Sequence, residues 1–252
     1  MLRHLATCNN AVLPGQRLPF LLGDQSVGYI DPALVAPLLA QGAVQTSEGV
    51  ALPATDLPGV TQALARDGLF KWRNEAFDVR ALPDGPVLAQ LDRGALPKFG
   101  VRAEGVHLNA MVQRPGGPWL WVARRARNKL LDPGKLDHLV AGGISAGMTV
   151  HETLLKEAEE EAGLPPGLLA SARHVGIVDY AMARDDGLRR DRLHCFDVTL
   201  PETFTPEPTD GEVEAFELWP ITDVLARVRD TDDFKFNVNL VLIDLFRRLG
   251  LT

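Results

Sequence analysis

Between Ala141 and Leu164 the chain reads AGGISAGMTVHETLLKEAEEEAGL, and this stretch constrains the fold more than any other. Gly142, Gly143 and Gly147 permit a tight loop whose backbone can approach a ligand closely. Thr149 is placed to cap a helix, with Glu152 three residues later as in a capping box. Gly163 supplies the stop, and Pro165 and Pro166 forbid continuation. On that helix Glu157, Glu160 and Glu161 fall at i, i+3 and i+4, which puts three carboxylates on one face. Leu155, Ala158 and Ala162 mark an apolar face for packing. Like charges at these spacings repel by roughly a few tenths of a kcal/mol per exposed pair. Such a face is either solvated or holds a hard cation, and clustered oxygen ligands suit Mg²⁺ or Mn²⁺. Glu152 and Glu159 fall off it, and Glu152 is spaced to pair with Lys156 at i+4.

The surrounding pattern is that of an α/β unit. Val106 to Arg114 alternates as a strand, Gly116-Gly117-Pro118 turns, and Trp119 to Arg125 returns. His174 to Met182 and Leu193 to Leu200 pair around Asp185-Asp186-Gly187. Val213 to Trp219 is a further strand, and Ile221 to Val228 and Asn237 to Leu249 are helices. Interleaved strands and helices suit an α/β/α sandwich with a mixed sheet over residues 101–252. Residues 1–100 read as a smaller α+β unit, joined through Leu96 to Gly105. There Leu18 to Leu22 and Val27 to Ile30 flank a turn, and Asp31-Pro32 opens a helix. Leu69 to Arg80 is hairpin-like around Asn74-Glu75, and Val87 to Arg93 is a short helix. No catalytic motif falls in this unit.

Composition narrows the partners. The net charge of -7 argues against general nucleic-acid or anionic-membrane binding, though a local basic pocket for phosphate is compatible with it. No apolar run approaches the roughly 18 residues needed to span a bilayer. Cys8 and Cys195 are the only cysteines and have no redox or metal spacing, so the expected setting is reducing and cytoplasmic. The opening MLRHLATCNNAVLPG lacks the apolar region of a secretory signal, and its two early basic residues leave a transit peptide as the alternative. Oligomeric state is open, a homodimer included.

The segment resembles the signature box of the Nudix hydrolases: Gly, five residues, Glu, seven residues, then Arg-Glu-apolar-x-Glu-Glu-x-Gly-apolar. Gly142, Glu157, Ala158, Glu160, Glu161, Gly163 and Leu164 stand in register. Met148 replaces the first Glu, which bears on loop support, and Lys156 replaces the Arg, keeping the charge without the bidentate fork. The strings VHLNAMVQR, LWVARRARNKLLDPGKLDHLVAGGI, VGIVDY, DGEVEAFELW and FKFNVNLVLIDLFRRLG are similar to Nudix proteins related to the fungal thiamine pyrophosphokinase fusions. Those carry an additional N-terminal domain.

The resemblance implies a Mg²⁺-dependent diphosphatase, with Mn²⁺ as the alternative ion, acting on a small-molecule diphosphate. Oxidised thiamine diphosphate, cleaved to the monophosphate, is the substrate it suggests. Glu157, Glu160 and Glu161, with a backbone carbonyl of Ala141 or Gly142, are then the expected metal ligands, and Glu157 or Glu161 the expected base.

Arg124, Arg125, Arg127 and Lys129 form a basic cluster that reads either as a diphosphate subsite or as a solvated strand end. Arg124 and Arg125 face opposite ways on a strand, so one at most points into a shared pocket. Among Asp210, Glu212 and Glu214, the resemblance makes Glu212 the candidate for an extra metal ligand or base at the substrate, and a charged turn and strand edge is the alternative. Trp119, Trp121, Tyr180, Phe216 and Trp219 are core residues or stacking platforms, and His107, His138, His174 and His194 are structural or surface groups.

Two other readings compete. Isopentenyl diphosphate isomerisation needs an active-site Cys just ahead of the box, where this chain has Leu139, Val140 and Ala141. A non-catalytic nucleotide sensor on the same fold would commonly lose box carboxylates, and here the helical three remain.

Overall fold

Period-two alternation organises the larger unit. Val106, Leu108, Ala110 and Val112 of the strand Arg102–Arg114 pack against Leu154, Ala158 and Ala162 of the helix Val150–Ala162. Met111 of that strand, with Leu120 and Val122 of Gly117–Arg125, belongs to a separate cluster on the helices Ile221–Asp230 and Val238–Arg248. A sheet apolar on both faces must take a helical layer on each, and the result is an α/β/α sandwich. Each fully buried Leu or Val in these clusters contributes about 1.5–3 kcal/mol. The structure is a computed structural model that describes residues 1–209 and 211–252; Asp210 of the acidic turn lies outside the described residues.

The sheet runs Arg173–Arg184, Gly187–Thr199, Arg102–Arg114, Gly117–Arg125, Val213–Pro220. Gly187–Thr199 lies parallel to Arg102–Arg114, and the other neighbours are antiparallel, so the sheet is mixed. The 13-residue strand Arg102–Arg114 is shared: its first half pairs with Val140–Gly143 and its end with Gly117–Arg125. This brings the glycine-rich strand Val140–Gly143 beside the box helix.

The residues before Arg102 bury a core of their own, with Phe20, Ile30, Leu38, Leu57, Leu91 and Phe99 at its centre. A four-stranded sheet and the two-stranded pair Ala76–Val79 and Ala89–Asp92 enclose it. This smaller α+β unit docks through Leu96–Phe99 on the start of Gly187–Thr199. A Cβ on Gly187, at φ +136, would overlap the Pro97 carbonyl, so glycine is what allows the approach. Arg190 donates to the Gly100 carbonyl at 3.1 Å and lies 4.9 Å from the Tyr29 ring centroid. The first helix, Leu2–Cys8, packs on the far side, where the Asn10 side chain accepts from the Ala183 amide at 2.7 Å. Among the described residues, no helix is long and apolar enough to cross a membrane.

Two local expectations fail. Val87 to Arg93 is not helical: Ala89–Asp92 pairs with Ala76–Val79, and Leu91 enters the core. Cross-strand burial overrides the helix preference of Leu, Ala and Gln there. The first half of the expected Leu69–Arg80 hairpin makes no strand; its amides turn instead to the Asp92 carboxylate.

Candidate active site

The box helix starts where its chemistry requires. The Thr149 hydroxyl accepts from the Glu152 amide at 3.2 Å, and the Glu152 carboxylate accepts from the Thr149 amide at 2.9 Å. Glu152 is thereby held at the cap and does not reach Lys156, contrary to the i+4 expectation. Lys156 instead pairs with Glu160 at 2.8 Å and Glu157 at 3.2 Å. Gly163, at φ +60, ends the helix in the left-handed conformation.

Three helical turns carry the carboxylates to the strand Val140–Gly143. Glu161 accepts from the Ala141 amide at 2.9 Å. The Glu157 side chain lies so close over Gly142 that a Cβ there would overlap it from Cγ to Oε2. Burial raises the pKa of Glu157, with Lys156 opposing and Glu160 and Glu212 adding to the rise. A half-buried carboxylate stacked among other carboxylates is a group that a divalent cation would relieve. The donor set therefore fits Mg²⁺ or Mn²⁺, all oxygen and clustered. Ala141 and Gly142 line the same cleft.

This cleft, of about 970 Å³, lies between the two units. Arg125, Lys129, Glu212 and Lys235 line it from the larger unit. Lys129 and Glu212 form an ion pair. Burial raises the pKa of Glu212, but Lys129 and the more distant Arg93 and Arg125 outweigh it and the net shift is downward. Arg125 is only 12% exposed and fully engaged: it donates to Asp137 at 2.8 Å, to the Leu131 carbonyl at 3.0 Å and to the Asp132 carbonyl at 3.2 Å. Its role in this structure is to hold the loop before Leu136, with one face toward the cleft. Arg124 does not line the cleft. It sits 3.7 Å from Glu217 of the neighbouring strand, because alternation sends it to the opposite side from Arg125. Arg127 is almost wholly exposed near Glu214.

Behind the strand lies a buried polar group invisible in the spacing. His107 and His138 meet at 2.9 Å between their Nδ1 atoms, and Asp137 completes a set of possible ligand atoms within 4.8 Å. Asp137 is already compensated. Burial pushes its carboxyl up, but Lys235 at 3.6 Å and Arg125 at 2.8 Å prevail and bring it down to about 2. A dication there would face both cations, whereas Glu157 and Glu160 on the helix pair with one, Lys156. Burial also lowers the pKa of Lys235, against the pull of Asp137.

The smaller unit reaches the box directly. The Phe77 ring packs on Gly143, the Ala146 amide donates to the Ala76 carbonyl at 2.7 Å, and the Gly147 amide donates to Asp78 at 3.3 Å. These bonds brace the loop in which Met148 has replaced the expected Glu. Among the aromatic candidates, Trp121 and Tyr180 are buried in the core and none of the five lines the cleft. Cys8 and Cys195 are buried together on the side of the sheet away from the box, their thiols pushed up to about 12 by burial. Among the described residues, no cysteine lines the cleft for isomerase chemistry.

Known proteins share this arrangement. The NUDIX domain profile matches residues 104–239, and that of a domain of unknown function, DUF4743, matches residues 1–103. Nudix hydrolase 20, chloroplastic, of Arabidopsis thaliana is 35% identical over 257 residues, covering 94% of this chain and 69% of the relative. Nudix hydrolase 24, chloroplastic, of the same plant is 37% identical over 251 residues, with the same shares covered. The crystal structure of DR0079 from Deinococcus radiodurans, 23% identical, covers 69% of this chain and 98% of its own with a TM-score of 0.51, a likeness of fold. With the box, the sandwich and relatives at more than a third identity along nearly its whole length, the chain belongs to the Nudix hydrolases, enzymes that act on pyrophosphate bonds.

Proposed function

We propose that the enzyme hydrolyses oxidised or otherwise damaged thiamine diphosphate to the monophosphate and inorganic phosphate. The observation that carries the diphosphatase part is the convergence of Glu161 on Ala141 and of Glu157 on Gly142 at the wall of the cleft, which Glu160 also lines. Those residues would hold Mg²⁺, or Mn²⁺ in its place. The ion supplies neutralisation of charge building on the phosphoryl oxygens and a lowered pKa for water. Glu157 or Glu161 takes the proton from the attacking water; the new P–O bond forms as the bridging P–O bond breaks. Lys129 and Lys235, which line the same cleft, supply positive charge for the phosphoryl oxygens in this reading.

The thiamine part rests on the likeness of the whole chain to the thiamine-related subgroup and on the pocket beside the cleft. That pocket, about 110 Å³, is walled by Phe77, Leu96, Leu188 and Phe236, with Glu104 and Asp191 and the cations Arg93, Arg189 and Lys235 also lining it. A cavity of roughly 150 Å³ is known to take one benzene ring, so the space suits a single heterocycle. Residues 1–100 form its lid in this reading, and we take residue 100 as the domain boundary. The setting proposed is cytoplasmic, with neither nucleic acid nor membrane as partner.

The experiment is Mg²⁺-dependent phosphate release on thiamine diphosphate, its oxo and oxy forms, ADP-ribose, NADH and isopentenyl diphosphate. The highest kcat/KM is expected for an oxidised thiamine diphosphate, and Glu161→Gln should abolish most of it. Unchanged turnover in Glu161→Gln, or no turnover of any substrate, would refute the reading; the second outcome would leave a ligand sensor.

A further inference from the structure

We propose that a basic rim built by the smaller unit, Lys71, Arg73, Arg93 and Lys98, seats the free terminal phosphate of the substrate. The enzyme then selects diphosphate monoesters over diphosphates esterified at both ends. The proposal rests on the diphosphatase reading above and assigns a task to a unit whose profile carries no function.

The rim lines the same cleft as Glu157, Glu160 and Glu161. It faces them with four cations against one carboxylate, Glu75, in a chain whose net charge is -7. Glu75 is bonded to Arg93 Nη1 at 2.8 Å, which leaves the other guanidinium donors of Arg93 directed elsewhere. Among the described residues, Lys71, Arg73 and Lys98 form no ion pair. Arg93 also lines the inner pocket, and its charge is felt by Glu212, Asp191 and Lys235 of the larger unit. The rim and the carboxylate face are thus two walls of one site.

The rim is built rather than incidental. Asp92, 4% exposed, accepts from the amides of Arg73 at 2.9 Å, Glu75 at 3.3 Å and Gly94 at 2.8 Å. The Arg93 amide donates to the Glu75 carbonyl at 2.8 Å. Gly94 lies so close to the Lys71 carbonyl that a Cβ would overlap it. One buried carboxylate therefore fixes a loop from residue 71 to residue 75 and a turn at residues 92–94 as a single piece. This sets the backbone positions from which the exposed side chains of Lys71, Arg73 and Arg93 reach the cleft.

An anion is the ligand this wall takes. A terminal phosphate carries a charge of about −1.5 to −2 near neutral pH and presents three acceptor oxygens. An esterified phosphate carries one charge and two free oxygens. Lys71, Arg73 and Lys98, with Arg93 partly spent on Glu75, gain more from the doubly charged terminal group than from the singly charged esterified one, and arginine can take two oxygens at once.

The test uses the full chain with Arg73→Gln, Arg93→Gln and their double variant. Arg66→Gln, exposed at the end of the helix Leu57–Arg66 and outside the cleft, serves as the charge control. For the double variant, KM for a diphosphate monoester, thiamine diphosphate or its oxidised form, should rise at least tenfold with kcat within threefold. KM for the diester ADP-ribose should change less than threefold. An unchanged monoester KM, or an equal loss on both substrates, would overturn the proposal. Calorimetric binding of imidodiphosphate in Mg²⁺ separates it from the reading it rests on. Affinity should fall tenfold or more in the double variant and hold in Arg66→Gln; equal affinities would sink the rim whatever is turned over. Rim-dependent binding without turnover of any diphosphate would instead sink the hydrolase reading and keep the rim.

Discussion

Replacing Gly142 with Ala separates the site from the fold. The residue lies in extended strand backbone, so Ala is permitted there, and the loss of chain freedom in the unfolded state favours the variant by about 0.4–1 kcal/mol. The new Cβ falls inside 3.0 Å of three atoms, Cγ, Cδ and Oε2, all in the Glu157 side chain. A flexible side chain gives way where backbone would not. Glu157 swings outward, losing its 3.2 Å contact with Lys156 and also the burial that raises its pKa. These opposing changes leave stability within about 1 kcal/mol of the parent, a shift in Tm of roughly 2–4 °C. The proposed cation site, however, loses one of its three carboxylates. Loss of a well-placed electrostatic group costs about 100-fold in rate, near 2.7 kcal/mol at 1.36 kcal/mol per tenfold. The assay pairs a thermal melt with Mg²⁺-dependent phosphate release. Gly143→Ala is the companion: its Cβ would lie 2.7 Å from Cζ of Phe77, a ring buried in the smaller core, so stability should fall by about 1–3 kcal/mol. Gly142→Ala with activity within threefold of the parent, or with a Tm more than about 10 °C lower, would refute the argument.

Further outcomes follow from the same contacts. Arg124→Gln should leave turnover within twofold and stability within about 0.5 kcal/mol, since it loses only a partly exposed pair with Glu217; a tenfold loss of activity would return Arg124 to the site. Arg125→Gln removes the closest partner of buried Asp137 and should cost about 3–5 kcal/mol by urea unfolding, whereas a loss under about 1 kcal/mol would contradict the assigned anchoring role. Asp92→Asn should cost about 1–3 kcal/mol and raise KM through a loosened rim, with no cation removed; an unchanged KM would show that the rim needs no anchor. His138 is held down to about 4 by burial, below its unfolded 6.5, so the fold favours its neutral form. That stability is present above pH 6.5 and drains away as pH falls toward 4, by up to roughly 3 kcal/mol. Asp137, down at about 2, loses its own contribution only below pH 3.8. Urea midpoints at pH 7 and 4.5 should therefore differ in the parent and differ less in His138→Gln, and equal slopes would contradict the cause given.

What the sequence made legible was local. The box helix announces both its ends, through Thr149 with Glu152 and through Gly163, and periodicity alone places Glu157, Glu160 and Glu161 together. The central strands show because period two survives burial on both faces. Parity told that Arg124 and Arg125 part company, but which one turns to the cleft depends on register with Val213–Pro220, a long-range fact. The Asp92 anchor was hidden because its amide partners lie 17 and 19 residues away, and because the run VLAQLD favours helix until the strand Ala76–Val79 pairs with it. The His107–His138 contact spans 31 residues and exists only because two strands meet beside Ala141. In both places tertiary pairing decided what spacing could not express.

The central claim is that the carboxylate face of the helix Val150–Ala162 holds a divalent cation at the diphosphate cleft. Mn²⁺ titration followed by electron paramagnetic resonance tests it on the full chain without reference to any substrate. The account expects saturable binding in the parent, weakened at least tenfold by Glu157→Gln and by Glu161→Gln. Affinity unchanged in both variants would contradict it.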